Sequence, residues 1–318
     1  NIQIRNNMIT RNGVFNGAGG GIAIYTGSLN YRVENNLICG NFAMTDGAGI
    51  GHLGLSSGGQ INSNQIIFNQ SFRQTPGMET DGGGILIAGA DSFNLGALTA
   101  GAGRVQINKN LIQGNQAGAG DGAGIALRRV NGLDVEGTPD TVGDWWLVNV
   151  DNNTIVNNVA GYGGGAMSLK EAVRVNIRNN TMSNNESTAT AGAAFALGTI
   201  VDGNLVSDPQ VAGIVSRPHE GLAGLIQIED DLWRYNQGFS LPFLRNNIIW
   251  QNRSRIYELA TNSLVDPGGA TTPVYNDFSA GLIVTTAGQK GLSRNNLMTA
   301  NVTGDHSSNI SGDPSFEA

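Results

Sequence analysis

Apolar and polar positions alternate along this chain in short runs, and the runs recur at matching places. Each run leads to an asparagine that is followed five residues later by a second one. The leading residues are Asn7, Asn36, Asn64, Asn110, Asn153, Asn180, Asn247 and Asn296; the second are Asn12, Asn41, Asn69, Asn115, Asn158, Asn185, Asn252 and Asn301. Two positions after each leading Asn stand Ile9, Ile38, Ile66, Ile112, Ile155, Met182, Ile249 and Met298. Three before it stand Ile4, Val33, Ile61, Ile107, Val150, Ile177, Leu244 and Ser293, and five before it Ile2, Tyr31, Gly59, Val105, Val148, Val175, Pro242 and Gly291. Side chains alternate faces along a strand, so these two positions share one side. The residues between them are polar in Gln3, Arg32, Gln60, Gln106, Asn149 and Asn176. The pattern predicts a strand with one buried face.

A second signature follows about 12 to 20 residues later: Gly19-Gly20-Gly21-Ile22, Gly47-Ala48-Gly49-Ile50, Gly82-Gly83-Gly84-Ile85, Gly122-Ala123-Gly124-Ile125 and Gly163-Gly164-Gly165-Ala166, with a decayed copy at Ala191-Gly192-Ala193-Ala194. Small residues suit places where backbones turn sharply or pass closely, and here they lead into another alternating strand. Leading asparagines are 29, 28, 46, 43, 27, 67 and 49 residues apart. A bare unit of about 28 residues with insertions accounts for this, and such a period means stacked units. Each unit is expected to hold about three short strands and three turns, and helical periodicity is absent over any long window.

The predicted fold is therefore all-β: a single-stranded right-handed parallel β-helix of about eight coils or slightly more, with long loop insertions on one side. A strand spacing of about 4.8 Å makes eight coils a rod of roughly 40 Å, with aliphatic ladders inside and asparagine columns at the turns. One domain is expected over 1–318, with regular coils over about 1–198, an insertion or degenerate coil over about 199–241, and the last coils over about 242–318. Leu225-Ile226-Gln227-Ile228 reads as one more strand. Ile2 and Ile4 already occupy core positions, so an N-terminal cap is expected to be absent. A preceding domain, or a neighbour packed end to end, is expected to cover that open coil.

Composition narrows the partners. Charged residues make up 14% of the 318 and hydrophobic ones 40%, which excludes a disordered tail. The net charge of −7 argues against a nucleic-acid groove, which needs a basic stripe. No apolar run reaches 18 residues, so no transmembrane segment is expected. Cys39 is the one cysteine, and His52, His219 and His306 are scattered, so neither a disulfide within the chain nor a Cys/His metal cluster is predicted.

The stretch Asn36-Leu37-Ile38-Cys39-Gly40-Asn41, then Ala43, then Asp46-Gly47-Ala48-Gly49-Ile50 resembles the repeats of bacterial right-handed parallel β-helix surface proteins. It is similar in particular to the polymorphic outer-membrane protein repeat, with its Gly-Gly-Ala-Ile and Phe-x-x-Asn elements. The Phe element is largely missing; only Phe68-Asn69 sets a Phe near the second Asn. The C-terminal part, Asn246 to Trp250 through Asp266-Pro267 and then Asn309 to Phe316, resembles the final coils of secreted β-helix proteins that carry a surface anchor. The resemblance implies an extracellular or bacterial cell-surface location. It leaves the activity open, since such scaffolds serve adhesins and polysaccharide enzymes alike.

Extra length falls into three excursions, roughly 89–103, 128–146 and 198–241, expected at one corner of the stack. Asp144, Trp145 and Trp146 in the second, and His219, Trp233 and Tyr235 in the third, suit sugar stacking or a protein hot spot. The alternative is a satellite core that folds the loops back. Before successive glycine signatures stand Asp46, Asp81 and Asp121, a row that fits calcium, an acid site, or simple turn caps. Lys170, Arg174, Arg178 and Asp151 could supply the base and carboxylate-neutralising cation of a lyase. Cross-strand charge pairing on a solvated face is the competing reading, because that slot runs Arg5, Glu34, Asn62, Asn108, Asp151, Arg178, Arg245, Arg294. Asn-x-Ser/Thr sequons include Asn69, Asn185, Asn252, Asn301 and Asn309, and the first four of these are the second Asn of the repeat. The expected function is adhesion, glycan or protein binding, or structural assembly, without catalysis or cofactor unless calcium binds. The alternative is a polysaccharide lyase or glycoside hydrolase on acidic glycans.

Overall fold

The computed structural model describes residues 2–73, 80–90, 98–196, 198–201, 203–227, 235, 238–267, 272–280, 293–294, 297–298 and 310–311. Within them the chain is all-β, with 40% strand and 5% helix. Each repeat contributes four short strands, and each strand joins a different sheet. In the second repeat these are Arg32–Glu34, Leu37–Cys39, Phe42–Ala43 and Ile50–Leu53. The four sheets contain eight, nine, eight and seven strands, and neighbours in a sheet come from successive repeats. Pairing is parallel and in register: Ile4 lies against Val33, Ile66 against Ile112, and Ile87 against Leu127. One antiparallel pair ends the third sheet, where Arg253–Ser254 meets Val274–Tyr275. Long parallel sheets stacked this way are compatible with a β-solenoid.

The alternation read from the sequence sets the burial. Val33, Ile61, Ile107, Val150 and Ile177 of the first sheet, Ile38, Ile66, Ile112, Ile155 and Met182 of the second, and Ile50, Ile85, Ile125 and Met167 of the fourth are buried in one continuous core. Burying such a side chain contributes about 1.5–3 kcal/mol, so the core is the dominant favourable term. In the first repeat Ile4 and Ile9 are only partly covered, and Ile2 and Met8 are exposed.

The expectation of three strands per unit needs correction to four. The third-sheet strands, such as Gln70–Ser71 and Gln116–Ala117, are two residues long, too short to show any alternation. The corners around them share one backbone feature. The residue before each described ladder asparagine has a positive φ: Asn6, Arg11, Asn35, Ser63, Phe68, Lys109, Asn152, Asn157, Asn179, Asn184, Asn246 and Gln251, with Gly40 and Gly114 in the same role. A non-glycine residue in the left-handed region costs on the order of 1–2 kcal/mol, so the surroundings must enforce the bend.

The insertions do not leave from a single corner. Residues 89–104 and 129–147 follow the fourth-sheet strands Ile85–Ala88 and Ile125–Arg128. The third excursion divides around a fourth-sheet strand of its own, Ile214–Ser216, which pairs with Met167–Leu169. Ahead of it the hairpin Thr199–Val201 and Asn204–Val206 pairs antiparallel with Ile256–Glu258 of the next repeat, itself a hairpin with Ser263–Val265. Leu225 lies in a turn and Ile226 and Gln227 in irregular chain, so the strand expected at 225–228 is found at 214–216 instead; Ile228 lies outside the described residues. So do Trp233, Asn296 and Asn301.

Candidate functional site

The polar groups at the corners form columns. From Asn7 to Asn180, the backbone N–H and Nδ2 of each leading Asn both donate to Oδ1 of the next repeat's Asn, at 2.8–3.1 Å. From the second repeat on, Nδ2 also donates back to the preceding repeat's carbonyl, as Asn64 does to Val33 at 2.8 Å. The second column repeats this from Asn12 to Asn252, and there Asp277 Oδ1 replaces an amide as the acceptor, 2.8 Å from Asn252 Nδ2. Three of the sequon asparagines, Asn69, Asn185 and Asn252, belong to this column and are completely buried within it.

The three carboxylates Asp46, Asp81 and Asp121 do stand in a row, and each is buried. Asp46 Oδ1 accepts the N–H of Asp81 at 2.8 Å, Asp81 Oδ1 that of Asp121 at 2.9 Å, and Asp121 Oδ1 that of Gly163 at 2.8 Å. Their outer oxygens face arginine. Arg128 bridges Asp46 at 2.9 Å and Asp81 at 2.7 Å. Arg217 grips Asp121 with two bonds of 2.8 Å and lies 3.9 Å over the Tyr162 ring. Burial alone would lower the Arg128 pKa, but the two carboxylates outweigh it and hold it above its ordinary value. Guanidinium groups thus stand where a calcium ion would have to sit. Among the described residues no group of three or more His, Cys, Asp or Glu is placed to hold a metal.

Of the lyase candidates, the structure brings Asp151 and Arg178 together. They oppose each other in register and form a two-bond pair at 2.8 and 2.9 Å, which raises the Arg178 pKa. Lys170 turns elsewhere, to Glu220 at 2.7 Å. Arg174 donates to the carbonyls of Gly143 and Trp145 at 2.8 and 2.9 Å. The four therefore do not converge on one point: Asp151 and Arg178 hold each other, and Lys170 and Arg174 bond elsewhere. Next to Lys170, the buried Glu171 accepts three successive backbone N–H groups with one oxygen, from Glu220, Gly221 and Leu222. This pins the third excursion to the fifth repeat.

The aromatic candidates divide. Trp145 and Tyr235 are both buried in a satellite core with Val135, Val173, Leu222 and Ile226, packed edge to face at 5.5 Å. Trp145 Nε1 donates to the Thr138 carbonyl at 2.7 Å, which satisfies its one polar atom in the interior. Trp146 is half-buried against the main core and donates to the Ala100 carbonyl. Asp144 is exposed. His219 is buried, and burial pushes its pKa down to about 4 against the opposing effects of the Glu171 charge and the Phe239 backbone.

Where the satellite core meets the first sheet there is a cleft of about 180 Å³, lined by Val142, Leu147, Val173, Arg174, Val175, Asn176, Tyr235 and Leu241. Ligand pockets for whole small molecules run to about 300–1,000 Å³, so this one suits a single unit of a larger ligand. Asn176 leads out of it onto the outward face of the first sheet, where its amide donates to Asn149 at 2.9 Å. Sequence reasoning did not find this cleft. Its walls come from three separate parts of the chain, and only Arg174 and Tyr235 carried a signal. Arg128, the key to the acid row, was missed too; it occupies the fourth-sheet slot of Leu53, Ala88 and Lys170, which shows no charge pattern.

No protein-family model, no curated protein and no solved structure matches this chain.

Proposed function

We propose that this chain is an extracellular or cell-surface right-handed parallel β-helix, one domain long, that binds a glycan without turning it over. The handedness follows from the near-universal right-handed crossover between parallel strands. The cleft at Arg174 and Asn176 carries the binding reading. Its exposed lining is mainly polar, and it borders the outward face of the first sheet where the amides of Asn176 and Asn149 stand, which suits hydroxyl-rich ligands. Support for a non-catalytic role comes from the candidate charges, each committed to a partner: Asp151 to Arg178, Lys170 to Glu220. Loops held on a rigid scaffold are the usual location of such sites.

Calorimetric titration against a panel of polysaccharides tests this with Asn176→Phe. An aromatic is tolerated by the sheet, since Phe243 follows Asn176 in register. Filling the cleft mouth is expected to weaken glycan binding at least about tenfold, or ~1.4 kcal/mol, with unfolding unchanged. Unchanged binding removes the cleft from consideration. Release of unsaturated sugar from uronate polymers, in calcium or in chelator, ends the non-catalytic reading in favour of a lyase.

A further inference from the structure

Five Asn-x-Ser/Thr sequons lie among the described residues, and the fold turns them in two opposite ways. At Asn69, Asn185 and Asn252 the acceptor is a ladder residue, and Ser71, Ser187 and Ser254, two positions on, are buried with it. At Asn152-Asn153-Thr154 and Asn179-Asn180-Thr181 the frame is shifted by one residue. Here the middle residue is the buried ladder asparagine. Asn152 and Asn179 stand exposed at the positive-φ corner, with Thr154 exposed and Thr181 half-buried on the second sheet. Thr154 lies in register with Thr181, so the two acceptors are one repeat, about 4.8 Å, apart. This coincidence of Asn and Thr is confined to two repeats. In the Thr slot other strands carry Met8, Leu37, Gln65, Leu111 and Ile248, so the corner residues Asn6, Asn35 and Asn246 have no hydroxyl two positions on.

We propose that Asn179 and Asn152 are N-glycan acceptors on the folded chain, a modification site separate from the cleft. An attached sugar is bulky, so its acceptor must face solvent. On Asn180 it would displace the Nδ2 bonds to the Val150 carbonyl and Asn247 Oδ1; on Asn179 it leaves the ladder intact. The donor is a sugar activated on a nucleotide or lipid phosphate. Asn Nδ2 bonds to the anomeric carbon, the carbon–oxygen bond to phosphate breaks, the phosphate leaves with the electron pair, and the amide gives up one proton to solvent. Asn179 is expected to react ahead of Asn152. Asn152 Nδ2 donates to Asn108 Oδ1 at 3.1 Å. Asn179 instead uses its oxygen, accepting from Asn246 Nδ2 at 3.2 Å, and its own nitrogen donates to none of the described residues.

The test is incubation of the purified folded chain with a soluble, sequon-specific N-glycosyltransferase and a nucleotide-linked hexose, with the products mapped by peptide mass spectrometry. Hexose is expected on Asn179 and, more slowly, on Asn152, with none on Asn69, Asn185 or Asn252. Free peptides spanning the same sequons should lose the distinction, with Asn69 and Asn252 accepting hexose as readily as Asn179. Thr181→Val should abolish transfer to Asn179 and spare Asn152; Val156 shows that the outward side of this sheet takes a valine. A folded chain that gains no hexose at Asn179 or Asn152 overturns the proposal. So does equal transfer to the ladder asparagines of a chain that still unfolds cooperatively. If the peptides show the same two-site preference, local sequence rather than the fold selects the acceptors, and the inference from the fold falls.

Discussion

Two kinds of column run along the repeats, and they solve the same problem differently. In the asparagine columns and in the aspartate row, a side-chain Oδ1 accepts a backbone N–H from the neighbouring repeat. An amide also donates, so each Asn satisfies the next, and the column extends over seven described repeats with no outside help. A carboxylate only accepts. Its row stops after three members, and it depends on Arg128 and Arg217 from other strands for its second oxygens. A ladder built of groups that both give and take can extend indefinitely; one built of acceptors needs counter-charges brought from elsewhere.

Replacing an amide by an acid in the wrong column should break that distinction most severely. In Asn110→Asp, the lost donor leaves an oxygen facing the Ile61 carbonyl and Asn153 Oδ1, both now about 3 Å away in the interior. An uncompensated buried charge costs about 3–5 kcal/mol, and urea unfolding should show a loss near the top of that range. Arg128→Met exposes the complementary weakness, leaving Asp46 and Asp81 without their cation. A loss of about 3 kcal/mol is expected, smaller because each acid keeps a backbone donor. Adding Asp46→Asn and Asp81→Asn to that variant should recover most of it; failure to recover means the arginine matters for packing rather than charge. A smaller effect should come from pH. The buried His219 and His52 both titrate at about 4 in the folded chain, lowered by burial, against about 6.5 unfolded. Between those values the unfolded chain binds the extra protons, so stability falls as pH drops from about 6.5 towards 4. By pH 5.5 the fall should be about 1 kcal/mol for each histidine, and His219→Phe should remove its own share; a flat profile refutes the burial argument.

The repeat itself was legible because its positions are copied: most ladder asparagines meet an Asn and most inward aliphatics meet another aliphatic, so the pattern survives in one sequence. The two-residue third-sheet strands were not legible, nor was the Ile214–Ser216 strand hidden inside an insertion. The site was harder. Trp145 and Tyr235 look alike whether they face a ligand or each other, and only the packing decides. Asp46 and Asp81 read as calcium ligands until Arg128, 82 and 47 residues away along the chain, is seen to fill the space between them.

The positive-φ corners have one more effect. Asn or Gly, which enter the left-handed region most easily, hold nine of these fourteen corners, and the amide that follows lets other residues fill the remaining five. Ser, Lys, Asn, Arg, Phe and Gln all appear in that role. The edge of each sheet is thus a row of sites open to mutation, set at fixed pitch, on which selection can write new surface chemistry while the scaffold beneath stays as it is.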